Sequence, residues 1–285
     1  HRDELRDLVV AETGKARMDS LGELLTVFDT FTYYANNGPE ILASESPSLH
    51  LLKNKRVTIH YEPKGLVANI SPWNFPLDLA VTPIVPALLA GNSVIIKPSE
   101  QTPLTAMRAA ELINQTGLPD GLLQVAPGYG EIGAELVDHA DAVSFTGSVP
   151  TGQKVAEAAG RNLISSTLEL GGKDPAIVLE DADVERSGNG IVWGGFFNGG
   201  QCCMSIERVY AHKGIYEELV DRIVAETRQL RQGVPNSDDI DVGAVIMPEQ
   251  IETIEEHVQD AVEKGATVLC GGERADINEG GLFYK

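Results

Sequence analysis

A chain of 285 residues, 42% hydrophobic and with a mean hydropathy of -0.08, is long enough for a substantial core and for two domains. Its 42 acidic against 22 basic residues give a formal charge of -20, which argues against nucleic acid or an anionic membrane held through a broad basic face. No apolar run approaches the ~20 residues of a membrane span, and the charged stretch from His1 to Arg17 is not signal-like, so the expected address is the cytoplasm.

Taken in chain order, a charged helical start is followed by residues 50–62, which alternate weakly between polar and apolar and read as a projecting hairpin arm. From Gly65 onward, runs rich in β-branched residues alternate with helical segments, the pattern of an α/β fold with largely parallel strands. The expected strands are Gly65–Ile70, Ser93–Ile96, Leu122–Val125, Ala142–Phe145, Leu168–Leu170, Ala176–Leu179, Arg208–Ala211 and Thr267–Cys270. Thr102 is placed to cap a helix that Pro103 opens and that Gly117 and Pro119 stop. Tyr216–Gln232 and Pro248–Lys264 carry apolar residues at helical spacing with charges outside. Gly171 and Gly172 are plausible hinge positions between domains.

Three cysteines, two of them adjacent, make a poor disulfide framework, and neither Cys-x-x-Cys nor a His-rich cluster offers zinc-ligand spacing. Thiol chemistry is the better reading, and no metal is expected. The run Phe196-Phe197-Asn198-Gly199-Gly200-Gln201-Cys202-Cys203 puts a thiol beside glycines that permit close backbone approach. Adjacent cysteines after glycines are also small core fillers, so the run alone leaves both readings open. Leu168-Glu169-Leu170-Gly171-Gly172-Lys173 offers a carboxylate base.

Gly128-Tyr129-Gly130-Glu131-Ile132-Gly133 matches Gly-x-Gly-x-x-Gly between a strand and a helix, but no acidic residue follows about 20 residues later to grip a ribose. It reads equally as a tight strand-to-helix turn. Phe145-Thr146-Gly147-Ser148-Val149-Pro150-Thr151-Gly152 is a second candidate, whose amides and Ser148 hydroxyl suit a pyrophosphate. Lys97-Pro98-Ser99-Glu100, after a strand, suits either a ribose or a helix-entry turn with solvated charges. In Pro72-Trp73-Asn74-Phe75-Pro76, two prolines stiffen a loop whose Asn amide could serve an oxyanion, although Asn beside Pro is common in turns.

Five of these runs, Pro72–Pro76, Lys97–Glu100, Phe145–Ser148, Leu168–Lys173 and Gly200–Cys203, stand in the order typical of the aldehyde dehydrogenase superfamily. The chain resembles that superfamily over nearly its whole length. The resemblance implies an α/β chain in which a Rossmann-like parallel-sheet cofactor domain is followed by part of an α/β catalytic domain. It implies an NAD-binding domain over residues 1–171, with 50–62 as an oligomerisation arm, and an incomplete catalytic domain over 172–285.

It further implies Cys203 as nucleophile, Glu169 as general base and Asn74 as half of the oxyanion hole, for oxidation of an aldehyde to a carboxylic acid. Cofactor contacts fall at Ser71, Pro72, Trp73, Lys97, Ser99, Glu100, Gly130, Phe145, Gly147, Ser148, Thr151, Leu170 and Gly171. The loop Gly147–Gly152 matches the family's cofactor loop better than Gly128–Gly133 does. A carboxylate at Glu100 favours NAD over NADP. The implied partners are a small aldehyde and, for the full-length protein, further copies of the chain in a dimer or tetramer, with no nucleic acid and no membrane.

Two departures accompany the resemblance. A small Ala or Gly is more usual where Ser205 stands, and the chain ends before the family's Glu and Phe that position the nicotinamide. The expectation is therefore a fragment, weakly active or inactive in isolation. Other readings are an aldehyde dehydrogenase that transfers its acyl group to coenzyme A, which Glu169 disfavours, a thiol esterase, and a nucleotide-binding fragment without turnover.

The acidic excess fits either a solubilising surface or adaptation to high salt. For the second, melting temperature rises as salt is added; a melting temperature insensitive to salt fits only the first.

Overall fold

The computed structural model describes residues 1–277 and 280–285. The chain forms two compact units, one of residues 23–170 and one of residues 1–22 with 171–285. Among the described residues no helix is long and apolar enough to cross a membrane. The first 22 residues group with the second unit, whereas the sequence reading joined them to everything up to residue 171.

The elements are, in order, helices α1 (Arg2–Thr13) and α2 (Arg17–Ile41), strand β1 (Leu66–Ile70), helices α3 (Asp78–Val81) and α4 (Ile84–Leu89), β2 (Ser93–Lys97), α5 (Pro103–Asn114), β3 (Leu123–Val125), α6 (Gly130–His139), β4 (Ala142–Thr146), α7 (Val149–Asn162) and β5 (Ser165–Glu169). There follow β6 (Asp174–Val178), α8 (Val184–Phe196), a 3-10 turn (Phe197–Gly200), β7 (Ile206–Ala211), α9 (Tyr216–Thr227), α10 (Pro248–Glu263), β8 (Arg274–Ala275) and β9 (Phe283–Tyr284).

In the unit of residues 23–170, five strands pair in parallel in the order β3-β2-β1-β4-β5. Strand alternation sorts the side chains onto two faces. Ala68, Ile70, Val143 and Phe145 pack on one face with Val137 and Ala140 of α6 and its end and with Val155 and Ala159 of α7. Val94, Ile96 and Leu123 pack on the other with Ala80, Ile84, Ala106 and Ala110. Both faces are covered, which explains why the strands read as apolar runs rather than as strict alternation. Because Ile70 pairs with both Lys97 and Phe145, the Lys97 side chain shares the face that α6 covers.

Helix entries follow the expected chemistry in part. Ser148 and Asp183 cap α7 and α8, accepting from the backbone N–H of Thr151 and Arg186. Thr102 precedes α5 and Pro103 opens it, as expected, but the buried Thr102 hydroxyl makes no capping bond. The segment Tyr216–Gln232 leaves the helix after Thr227, and the N–H of Arg231 is instead taken by the Asp241 carboxylate at 2.8 Å.

Residues 50–62 are exposed throughout and form no regular hairpin. The stretch is closed by one antiparallel bridge between Glu45 and Ile59, with N–H···O distances of 3.1 and 2.8 Å. An isolated pair of strands buries too little to hold a longer ladder. Thr267–Cys270 is likewise not a strand: the carbonyl of Leu269 is met by the Arg228 guanidinium at 3.3 Å rather than by a neighbouring strand. The short antiparallel pair β8–β9 was not expected.

The second unit is built on β6 and β7, parallel neighbours joined through α8, with Val178, Ile191 and Leu219 at the core between them and α9.

Asn69, on the α3 side of β1 and 1% exposed, donates from Nδ2 to the carbonyls of Leu79 and Ala80 at 3.2 and 3.0 Å. Replacing it with Leu leaves two buried carbonyls without that donor. The substitution should cost about 1–3 kcal/mol, read as a lower urea midpoint at unchanged slope.

Candidate active site

All five strands of the first unit end on one edge, and the strand order reverses between β1 and β4. In open α/β sheets such a reversal marks the position, outside the carboxyl ends of the strands, at which ligands are taken. Ser71 follows β1, its N–H bonded to the carbonyl of Lys97 at 3.1 Å. Its hydroxyl is buried and has no partner among the described residues. Pro72, Trp73 and Asn74 continue from it, each partly buried.

Lys97 closes β2 and is only 5% exposed. Its ammonium donates to the Pro98 carbonyl at 2.9 Å and lies 3.5 Å from Glu100. Ser99 is buried, and its hydroxyl accepts from the N–H of Gln101 at 3.2 Å. Gly130 opens α6, and a Cβ at Gly133, one turn on, would stand 3.7 Å from Cδ of Lys97. The first turn of α6 thus passes beside the stem of Lys97.

Gly147 follows β4 and donates its N–H to the Glu169 carbonyl at 3.0 Å. A Cβ there would stand 2.6 Å from the ring of Phe145, so the turn requires glycine. Ser148 caps α7, and its hydroxyl also donates to the Thr151 hydroxyl at 3.0 Å. Phe145 is buried in the core and Leu170 packs against that cluster, so both support the turn from beneath. Glu169 ends β5 with its side chain exposed. These residues therefore line one edge of one unit.

Cys203 and Gly171 belong to the other unit. After α8 the chain passes through Asn198, Gly199 and Gly200 at φ of 55, 65 and 74°, three left-handed residues in succession. Asn198 accepts this conformation more readily than most side chains do. Its N–H is held by the Asp19 carboxylate at 3.1 Å, and its Nδ2 donates to the Gln201 carbonyl at 3.1 Å. Gln201 returns the bond, Nε2 to the Asn198 carbonyl at 3.1 Å, and accepts from the N–H of Ile246 at 3.1 Å. The next turn runs from Cys202 to Ser205, the N–H of Ser205 meeting the Cys202 carbonyl at 3.1 Å.

Cys203 is exposed within that turn, whereas Cys202 is half-buried and burial pushes its thiol above the ordinary range. Of the two, Cys203 has the access that a nucleophile needs. Asp19 and the Gln201 side chain were not singled out from sequence. Asp19 lies 179 residues from its partner in an ordinary helix start, where no local pattern marks it. In the same unit a cavity of about 390 Å³ is lined by Met18, Asp19, Trp193, Phe196, Phe197 and Val242 among others.

The aldehyde dehydrogenase family model matches residues 1–285, and the chain belongs to that family. It is 41% identical over 287 aligned positions to a putative succinate-semialdehyde dehydrogenase of Mycobacterium tuberculosis whose name specifies NADP(+), covering 100% of this chain and 55% of that protein. It is 36% identical to the D-glyceraldehyde dehydrogenase (NADP(+)) of Picrophilus torridus, covering 58% of it. Among solved structures, the NAD+ complex of an aldehyde dehydrogenase from Bacillus cereus superposes with a TM-score of 0.93 at 35% identity, over 100% of this chain and 58% of that one. The chain spans a little over half the length of the curated relatives it matches.

Proposed function

We propose that the protein oxidises an aldehyde to a carboxylic acid with NAD as hydride acceptor, using Cys203 as nucleophile, Asn74 at the oxyanion and Glu169 as general base. The observation that carries this reading is an exposed Cys203 in a turn braced on both sides, within a chain the family model matches from end to end. Residues 23–170 serve as the NAD-binding domain and residues 1–22 with 171–285 as the catalytic part, and residues 50–62 serve in pairing copies of the chain.

The carboxyl edge of the sheet fits a dinucleotide. The unpartnered buried hydroxyl of Ser71 offers a polar contact, and Lys97, Ser99 and Glu100 offer groups for ribose hydroxyls. The Ser148-capped start of α7 suits a pyrophosphate, with Gly147 and Thr151 beside it. Pro72, Trp73 and Gly130 shape the remainder, with Phe145 and Leu170 supporting the turn from beneath.

The Cys203 thiolate adds to the aldehyde carbon, and the oxygen that gains charge takes hydrogen bonds from the Asn74 amide and the Cys203 N–H. A bound oxidised nicotinamide would supply the acceptor for a hydride, and loss of that hydride from the former aldehyde carbon would leave a thioester on Cys203. Glu169 takes a proton from the water that attacks the thioester carbon, releasing the carboxylic acid and the thiolate. A carboxylate in that role supports hydrolysis over transfer to coenzyme A.

Cys203→Ala should lower aldehyde-dependent NADH formation on the order of a thousandfold or more. Glu169→Gln should keep a full NADH burst and lose steady turnover; unchanged steady turnover would count against its role as base.

Glu100, 40% exposed by side chain and 3.5 Å from Lys97, sets a negative charge where a 2′-phosphate would bring roughly two more. The ratio kcat/KM is therefore expected to favour NAD over NADP. A clear NADP preference would refute this, and the two relatives named above carry NADP(+) in their names.

A further inference from the structure

The last turn of α8 lies under the stretch that carries Cys203. A Cβ at Gly194 would stand 2.6 Å from Cδ1 of Ile206, one at Gly195 3.3 Å from the Ile206 carbonyl, and one at Gly200 3.2 Å from the Gly195 carbonyl. Both the approach to the Cys202–Ser205 turn and its exit are thus pressed onto the same two glycines. Their carbonyls are among the last four of the helix, which have no partner further along it.

Ser205 supplies one. It is 3% exposed, and its hydroxyl lies 3.2 Å from the Gly194 carbonyl and 3.1 Å from the Gly195 carbonyl, a single proton shared between two acceptors. Its N–H closes the turn on Cys202. Between these anchors Cys203 is exposed, and Met204 is 71% exposed, so neither side chain is packed firmly enough to fix the turn.

We propose that Ser205 is a positioning residue for the nucleophile: by tying the exit of the turn to the end of α8, its hydroxyl holds the Cys203 thiol in the geometry from which it attacks. This rests on the reading of Cys203 as nucleophile. Ser205 touches no reacting atom and acts through the backbone. The approach side of the turn is held separately, by Asp19 on Asn198 and by Gln201 on Ile246. Loss of the hydroxyl therefore loosens the exit, which keeps the Ser205 N–H bond to Cys202 and the pairing of Ile206 with Asp174, and leaves the approach side untouched. A thiol that samples many directions attacks more slowly, because the cost of orientation moves into the barrier.

The test uses 4-nitrophenyl acetate, an activated ester that acylates a thiol without cofactor, and follows release of nitrophenolate with the acylated residue mapped by mass spectrometry. Ser205→Ala should slow acylation of Cys203 by about tenfold or more while the acyl-enzyme hydrolyses at its former rate. Ser205→Thr, which keeps the hydroxyl, should restore acylation. If the alanine variant loses its cooperative melt, Ser205→Gly takes its place with the same expected loss. Acylation of Cys203 within about twofold of the parent rate in the alanine or glycine variant overturns the proposal, as does failure of a folded Ser205→Thr to rescue. Acylation that persists in Cys203→Ala overturns instead the nucleophile reading on which the proposal rests.

Discussion

Parallel pairing of five strands is the constraint on which the first unit depends, because it brings every strand's carboxyl end to one edge. At such an edge the ladder stops, and the next residue's backbone groups must find other partners. The structure meets this demand with the same residues that are proposed to contact the cofactor. The N–H of Ser71 goes to Lys97, that of Gly147 goes to Glu169, and the Lys97 ammonium goes to Pro98. Fold and site are here one set of bonds, so a substitution at this edge is expected to disturb both.

The second unit solves a different problem. Exposing a thiol needs a chain that turns sharply without burying the side chain it presents, and three left-handed residues lead into that turn; Gly199 and Gly200 adopt this region freely, so the backbone strain falls on Asn198. That strain is offset by bonds from outside the loop: Asp19 to Asn198, and Ile246 to Gln201. The glycines at 194, 195 and 200 then sit where a Cβ would press on Ile206 or on the Gly195 carbonyl, and Gly200 also holds a left-handed φ of 74°. Ser205 completes this arrangement at the helix end.

What the sequence disclosed follows from how local each signal is. Gly147 and Ser148 were legible because a strand, a glycine turn and a capped helix lie within ten residues, and the structure reproduces each. The run Gly200–Cys203 stood out because its glycines and cysteines are adjacent in sequence, although the run alone left a core-filling role open. Asp19 was not, because its importance comes from a partner 179 residues away. Residues 50–62 and Thr267–Cys270 have strand-like composition, but a strand also needs a neighbour to pair with, and composition does not supply one. Phe145 and Leu170 show the converse: the family motif marks them for the cofactor, while their packing beneath α7 explains them as support.

The formal charge of -20 sets a final condition on the proposed cofactor site, since a dinucleotide is itself an anion. Long-range repulsion from surface carboxylates is screened beyond a Debye length of about 8 Å at physiological salt, whereas fixed donors at hydrogen-bond distance are not. An acidic chain can therefore accept an anion where its donors are short-range and buried. Lys97 meets that description: it is nearly enclosed and within reach of the Pro98 carbonyl and Glu100. Enclosure limits the water that would otherwise weaken its field. The acidity of the surface and the proposed binding of a dinucleotide at the edge are thus compatible, because they act over different distances.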